Sequence, residues 1–321
     1  MAVIRGSTLL SSLPFLSFRM ILYPLCLSIA LILINVMGGS IDLPITNNDA
    51  QRDFNTALGT SLISGYFLLT IRFVHRNLAS SLYAILVIKN QQSLFKHYNK
   101  EIAQSFKRHV VWCVSIGFLM PVVYMVSEGV IERINEPEVI VVAITAIPFW
   151  FLMSLFFIEV YASNKLLRKL TCSHELSASS QIELIRKVLN VGLTSATIIL
   201  SGTALMPIFW INQPVHFFDL LFISCLLGFV ALFLMWPLFT LIFKLNSLSE
   251  KVFEENENLI SNYIKSNNAK VESSFIEKKI TEQELYAHAL TPSHYKKLIT
   301  CIIPLPFSWL LFLLIESILV V

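Results

Sequence analysis

Apolar and polar positions in this chain fall into long blocks. Seven runs with little or no charge stand at 20–38, 57–74, 109–126, 139–161, 188–211, 217–243 and 298–321. Each is about the length needed to cross a hydrocarbon core of roughly 30 Å at about 1.5 Å per helical residue. The second is the weakest, because Arg72 ends its strictly apolar part early. The pattern predicts an all-α polytopic integral membrane protein, with a single seven-helix transmembrane domain over residues 1–321.

One run also carries an ordered polar stripe. In 188–211, VLNVGLTSATIILSGTALMPIFWI, residues Asn190, Thr194, Thr197 and Ser201 step by four, three and four. At about 100° per residue they share one helical face. Gly192, Ser195 and Gly202 add small residues nearby, and Pro207 precedes the pair Phe209 and Trp210. Such a face in lipid either packs on another helix or lines a wet cavity. The four residues are therefore candidates for ligand or pore lining, with helix packing as the other reading.

Composition agrees with the blocks. Hydrophobic residues make up 55% of the 321 and charged residues 14%, against about 25% charged in a typical soluble domain. The mean hydropathy is +0.69. Charge position then sets orientation. Arg5 and Arg19 precede the first run, seven Lys and Arg lie at the end of the second or between it and the third, five between the fourth and fifth, and eight between the sixth and seventh. That puts 22 of 24 on one side, leaving only Arg52 and Arg133 opposite. Cytosolic loops collect basic residues, so the N-terminus is expected inside and the C-terminus outside. Residues 1–19 resemble a signal peptide, but Arg19 interrupts their apolar run and no small-residue cleavage site follows. They are expected to stay as an amphipathic lead-in.

The inward blocks read as helical extensions. LYAILVIKNQQSLFKHYNKEIAQSFKRH could lie on the inner membrane surface or extend the second span inward. The longest block, about 244–297, balances eight Lys with eight Glu. Its Leu245, Leu248, Val252 and Leu259 form a partial heptad, with Glu255 at an expected apolar place. It reads as a solvated helix or as a surface for a further subunit. A faint echo, Leu119-Met120-Pro121 against Leu205-Met206-Pro207, fits either a repeated hairpin or chance.

Arg72, His75 and Arg76 share a face at the inner end of the second span. They either snorkel to the headgroups or face Glu159, the one acid near the inner end of the fourth span. Arg72 and Glu159 are the candidate structural ion pair. No ionisable residue falls at mid-span, which disfavours a proton-coupled carrier. The chain has no Gly-rich phosphate loop, CxxC pair, HExxH or nucleophile elbow. No enzyme activity, cofactor or metal is expected. The five Cys all lie in spans or on the inner side, so no disulfide framework is expected.

Seven spans, an inside N-terminus, inward extensions of the even-numbered spans and a cytosolic helix before the last span resemble the insect gustatory and odorant receptor channels. The resemblance implies subunits joined through the inner helices and a central cation pore lined by the last span. That span reads CIIPLPFSWLLFLLIESILVV and departs from the family's Thr-Tyr…Gln-Phe motif, so no pore residue is carried over. The expected function is a receptor-like or ligand-gated channel-like, chemosensory protein of the cell membrane. Its expected partners are the lipid bilayer, further copies or other subunits in a homo- or hetero-oligomer, and a small-molecule ligand, with no nucleic acid. The alternative is a non-catalytic scaffold or complex subunit that recruits a partner through its cytosolic helices.

Overall fold

A computed structural model describes residues 18–43, 47–127, 129–171, 177–215, 217–229 and 235–266, together with a few isolated positions. The described residues fold into seven α-helices and three short 3-10 turns, with no strand among them. The helices are α1 (Phe18–Met37), α2 (Asn48–Ile88), α3 (Phe95–Ser127), α4 (Pro137–Thr171), α5 (Ala178–Thr203), α6 (Phe217–Phe229) and α7 (Trp236–Ser266). Among the described residues, five helical segments are long and apolar enough to cross a membrane: α1, α2, α3 with the turn before it, α4, and α5 with the turn after it. They contain the first five expected spans. The sixth run, 217–243, is distributed over α6 and the start of α7, and the seventh, 298–321, lies almost wholly outside the described residues. The part of the inward block after Ser266 does too.

Local chemistry fixes the helix ends. Asn47 caps α2, its side chain accepting from the Ala50 N–H at 2.7 Å, and Asp49 sits in the first turn. Pro137 opens α4, where a missing N–H costs nothing, with Glu138 beside it and Arg168 and Lys169 in the last turn. Gly129 takes φ +67 just after α3 ends, a backbone state open to glycine without penalty. α2 and α3 meet in a tight turn at 89–94. The block after the second span is therefore the tips of two long helices, which extend the spans. At 41 residues α2 is about 60 Å long, twice the hydrocarbon thickness.

α2 is the centre. It packs against α1, α4, α5 and the 3-10 turn Met206–Trp210, while α3 packs on α4 and α7 on α5. Ile63, Phe67, Ile71, Val74, Leu78 and Leu82 run down its buried side and meet Phe149, Phe156 and Leu193. The outer faces of α1 and α3 are apolar yet exposed, with Trp112 at 71% and Phe118 at 59%. That pattern belongs to helices solvated by hydrocarbon. Several polar groups inside join helices. Asn35 of α1 donates to the Leu31 carbonyl and to Ser61 of α2, and accepts from Thr145 of α4 at 3.2 Å. Gly65 lets α1 and α2 touch: a Cβ there would stand 2.0 Å from the Ser28 hydroxyl oxygen and 2.8 Å from the Pro24 carbonyl.

The chain ends of these helices define two faces. At one lie Arg76, Lys96, Lys100, Lys165, Arg168 and Lys169, the basic end. At the other lie the described parts of the connections, 38–43, 129–136 and 204–215, the loop end.

Candidate functional site

A mainly apolar cavity opens near the loop end, walled by helix faces and by the segment that follows α5. α2 supplies Arg52, Thr56 and Thr60 at four-residue spacing, α3 supplies Met120, Val123, Tyr124 and Ser127, and α4 supplies Ala146, Phe149 and Trp150. The remaining wall comes from the turn Met206–Trp210, the connection after it and α6. Pro207 stands at the start of that turn, just past the end of α5. Phe209 and Trp210 then point back to the bundle. Phe209 lies over Gly59, where any Cβ would come within 2.7 Å of the ring. Phe149 touches Trp150 and Phe209 edge-on at 5.3 and 5.9 Å between centroids.

The void measures about 280 Å³, close to twice the roughly 150 Å³ that accepts benzene. By that proportion it holds about a dozen non-hydrogen atoms. Its polar atoms are few. Trp210 donates to Asp219 at 2.8 Å, Thr60 donates to the Thr56 carbonyl, and Gln213 donates to the Asn48 carbonyl. Arg52 is half-buried and has no carboxylate within 4 Å among the described residues. An aromatic chamber with one cation suits a small amphiphile that carries a carbonyl or carboxylate.

Two features hold this end rigid. Asn55 donates to the Ile211 carbonyl at 2.7 Å and to the Phe209 carbonyl, which fixes the turn against α2. Arg133 binds Asp53 at 2.9 Å and Glu136 at 2.6 Å, which ties the α3–α4 connection to the start of α2. The Arg133 hydrogen bond holds the Glu136 carboxyl below its ordinary range.

The residues singled out from the sequence lie elsewhere. Asn190, Thr194, Thr197 and Ser201 do share a face of α5 and are half-buried, but they do not line the aromatic cavity. Three hydroxyls donate to carbonyls of their own helix, Thr194 to Asn190, Thr197 to Leu193 and Ser201 to Thr197, at 2.8–2.9 Å, and Ser201 also shares a hydrogen bond with the Tyr66 hydroxyl of α2. Glu159 is 3% exposed. Its carboxylate is held by His75 Nε2 at 2.7 Å and His109 Nδ1 at 2.6 Å, not by Arg72. The guanidinium of Arg72 lies 4.7 Å over the Tyr23 ring instead. The pairing expected of Arg72 and Glu159 is thus made one turn further along α2, and α3 adds a second imidazole. His75 was visible as part of the Arg72–Arg76 face. His109, fifty residues from Glu159, gave no local signal.

The chain matches no protein-family model, no curated protein and no solved structure.

The aromatic cavity escaped the sequence because its walls come from five separated segments, none of which has an unusual pattern alone. Among the described residues no group of three or more His, Cys, Asp and Glu side chains is placed to hold a metal ion.

Proposed function

We propose that the protein is a small-molecule receptor of the cell membrane, of the ligand-gated channel type, and that the aromatic cavity takes its ligand. The observation that carries this reading is the void of about 280 Å³ lined, among the described residues, by five aromatic side chains and the single cation Arg52. It matches the general form of ligand sites, apolar with a few placed polar groups. In the proposed orientation, N-terminus inside and C-terminus outside across seven spans, the loop end faces outward and the cavity meets ligands arriving from that side. The overall layout's resemblance to the insect gustatory and odorant receptor channels supports the same reading, with an oligomer joined through the inner helices.

The test uses the full chain in nanodiscs. Short aryl carboxylates and their neutral amides are titrated while tryptophan fluorescence is followed, because Trp150 and Trp210 line the void. Saturable quenching that Phe209→Ala abolishes and Arg52→Gln weakens for the carboxylates is expected. In planar bilayers the same compounds should raise conductance. Binding without conductance would leave a receptor that does not conduct, and absence of both would remove the proposal. Reporter tags at residues 1 and 321 should appear on opposite sides of the membrane.

A further inference from the structure

At the basic end α4 carries its charge on one face. Tyr161, Asn164, Lys165, Arg168 and Lys169 succeed one another at i, i+3, i+4, i+7 and i+8, the spacing of a single helical stripe. Between them Ser163, Leu167 and Leu170 are buried in the bundle. The stripe forms one wall of a cavity of about 380 Å³. The facing wall has the opposite character: Val188 and Gly192 of α5, then Pro237, Leu238 and Leu241 of α7. Gly192 permits that closeness, since a Cβ on it would meet Leu238 at 2.2 Å.

Depth places the groove at a membrane surface. Measured from Pro137 at about 1.5 Å per residue, Tyr161 lies about 36 Å along α4 and Lys169 about 48 Å. The hydrocarbon core takes roughly 30 Å, and the two headgroup layers bring the total to about 40–45 Å. Lys165 therefore stands at headgroup level, with the apolar wall beside and below it. Lys165 Nζ rests 5.8 Å over the Tyr161 ring, which orients it along the groove. Asn164 adds a donor, because its Nδ2 is shielded from solvent and has no hydrogen-bond partner among the described residues. Three cations and an unused amide on one wall want a phosphoryl group. The apolar wall wants a chain attached to it.

We propose that this groove binds the phosphodiester headgroup of an anionic phospholipid from the leaflet at the basic end, with an acyl chain along Val188, Leu238 and Leu241. The lipid would bridge α4 to the α5–α7 pair at the end of the molecule opposite the aromatic cavity, and the inference does not rest on that cavity's ligand.

Native mass spectrometry of the full-length protein, released from detergent with phosphatidylglycerol or phosphatidylcholine added, tests it. Phosphatidylglycerol is expected to bind at least tenfold more tightly. The triple change Lys165→Gln, Arg168→Gln and Lys169→Gln should weaken it about 100-fold, at about fivefold for each cation near the surface, and leave phosphatidylcholine unaffected. The charge-preserving set Lys165→Arg, Arg168→Lys and Lys169→Arg should retain the preference, which separates loss of charge from loss of fold. Lys96→Gln with Lys100→Gln, exposed at the same end on α3, should change little. Equal binding of the two lipids overturns the proposal. So does an equal loss from the α3 pair, which would mean diffuse attraction. Displacement of the lipid by equimolar glycerol phosphate also overturns it, since a soluble anion would then be the ligand.

Discussion

Replacing Glu159 with glutamine keeps the size of the side chain where α2, α3 and α4 meet and removes its charge. The size of the effect depends on what the two imidazoles contribute. Two neutral hydrogen bonds between membrane helices are worth about 1 kcal/mol together, since single ones average about 0.6. Hydrogen bonds to a charged group contribute about 1.5–3 kcal/mol, and breaking a buried pair from one side costs about 3–5. The side chains of His75 and His109 are 29% and 22% exposed, so screening pulls the value to the lower part of that range. We expect Glu159→Gln to cost about 2–3 kcal/mol. The assay is unfolding from mixed micelles by SDS, with the buried Trp150 and Trp210 as reporters. Double-mutant cycles with His75→Gln and with His109→Gln should each return a coupling of about 1–2 kcal/mol, and a cycle with Arg72→Gln about zero. Couplings below about 0.5 kcal/mol with both histidines would refute the idea that this carboxylate joins the three helices.

Three further outcomes are expected. Glu136 is held below its ordinary range by Arg133, so its tie is present at neutral pH and is lost only as pH falls through a window below the ordinary glutamate range; hydrogen exchange in 129–136, corrected for intrinsic rates, should speed up as the pH is lowered through that window, and Arg133→Gln should show the fast rate at neutral pH as well. Ser201→Ala should cost about 1 kcal/mol or less by SDS unfolding, because its hydroxyl bonds the Thr197 carbonyl of its own helix and meets the Tyr66 side chain of α2; a loss well above that would mean that this one contact holds α5 to α2. Gly65→Ala should destabilise by about 1–3 kcal/mol through overpacking, and adding Ser28→Ala should recover only part, since the Pro24 carbonyl still lies 2.8 Å from the new Cβ.

Much of the fold could be read from the sequence because bilayer helices advertise themselves by length and apolarity. The runs at 57–74, 109–126 and 139–161 fall inside helices that the structure describes, 20–38 outlasts α1 by one residue, and 188–211 begins in α5 but continues past its end at Thr203 into the turn Met206–Trp210. The periodic stripe on α5 was equally legible as a shared face. What its hydroxyls bond to was not, because a serine that bonds the fourth carbonyl behind it and one that faces a partner have the same spacing. Glu159 is legible as an isolated acid, but Arg72 and His75 share one face of α2, and spacing does not say which of them meets the carboxylate that His75 and His109 hold. The aromatic cavity depends on Thr56, Tyr124, Phe149 and Phe209 arriving together from different helices. Only tertiary packing brings them there.

α2 is the least apolar of the five candidate spans, yet it is as deeply buried as any of them. Its polar side chains find partners that are made later: Asp53 waits 80 residues for Arg133, and Asn55 waits 156 for the Ile211 carbonyl. At roughly 5–20 residues per second the first delay is about 4–16 s and the second about 8–30 s. Through the first of these delays the ribosome has released a segment that lipid alone receives poorly, before α4 and α5, two of the helices it packs against, have been made. Biogenesis of this chain therefore has a built-in pause, during which insertion machinery must shelter α2. A nascent chain stopped after α3 should leave α2 crosslinked to that machinery, and one released after α6 should not.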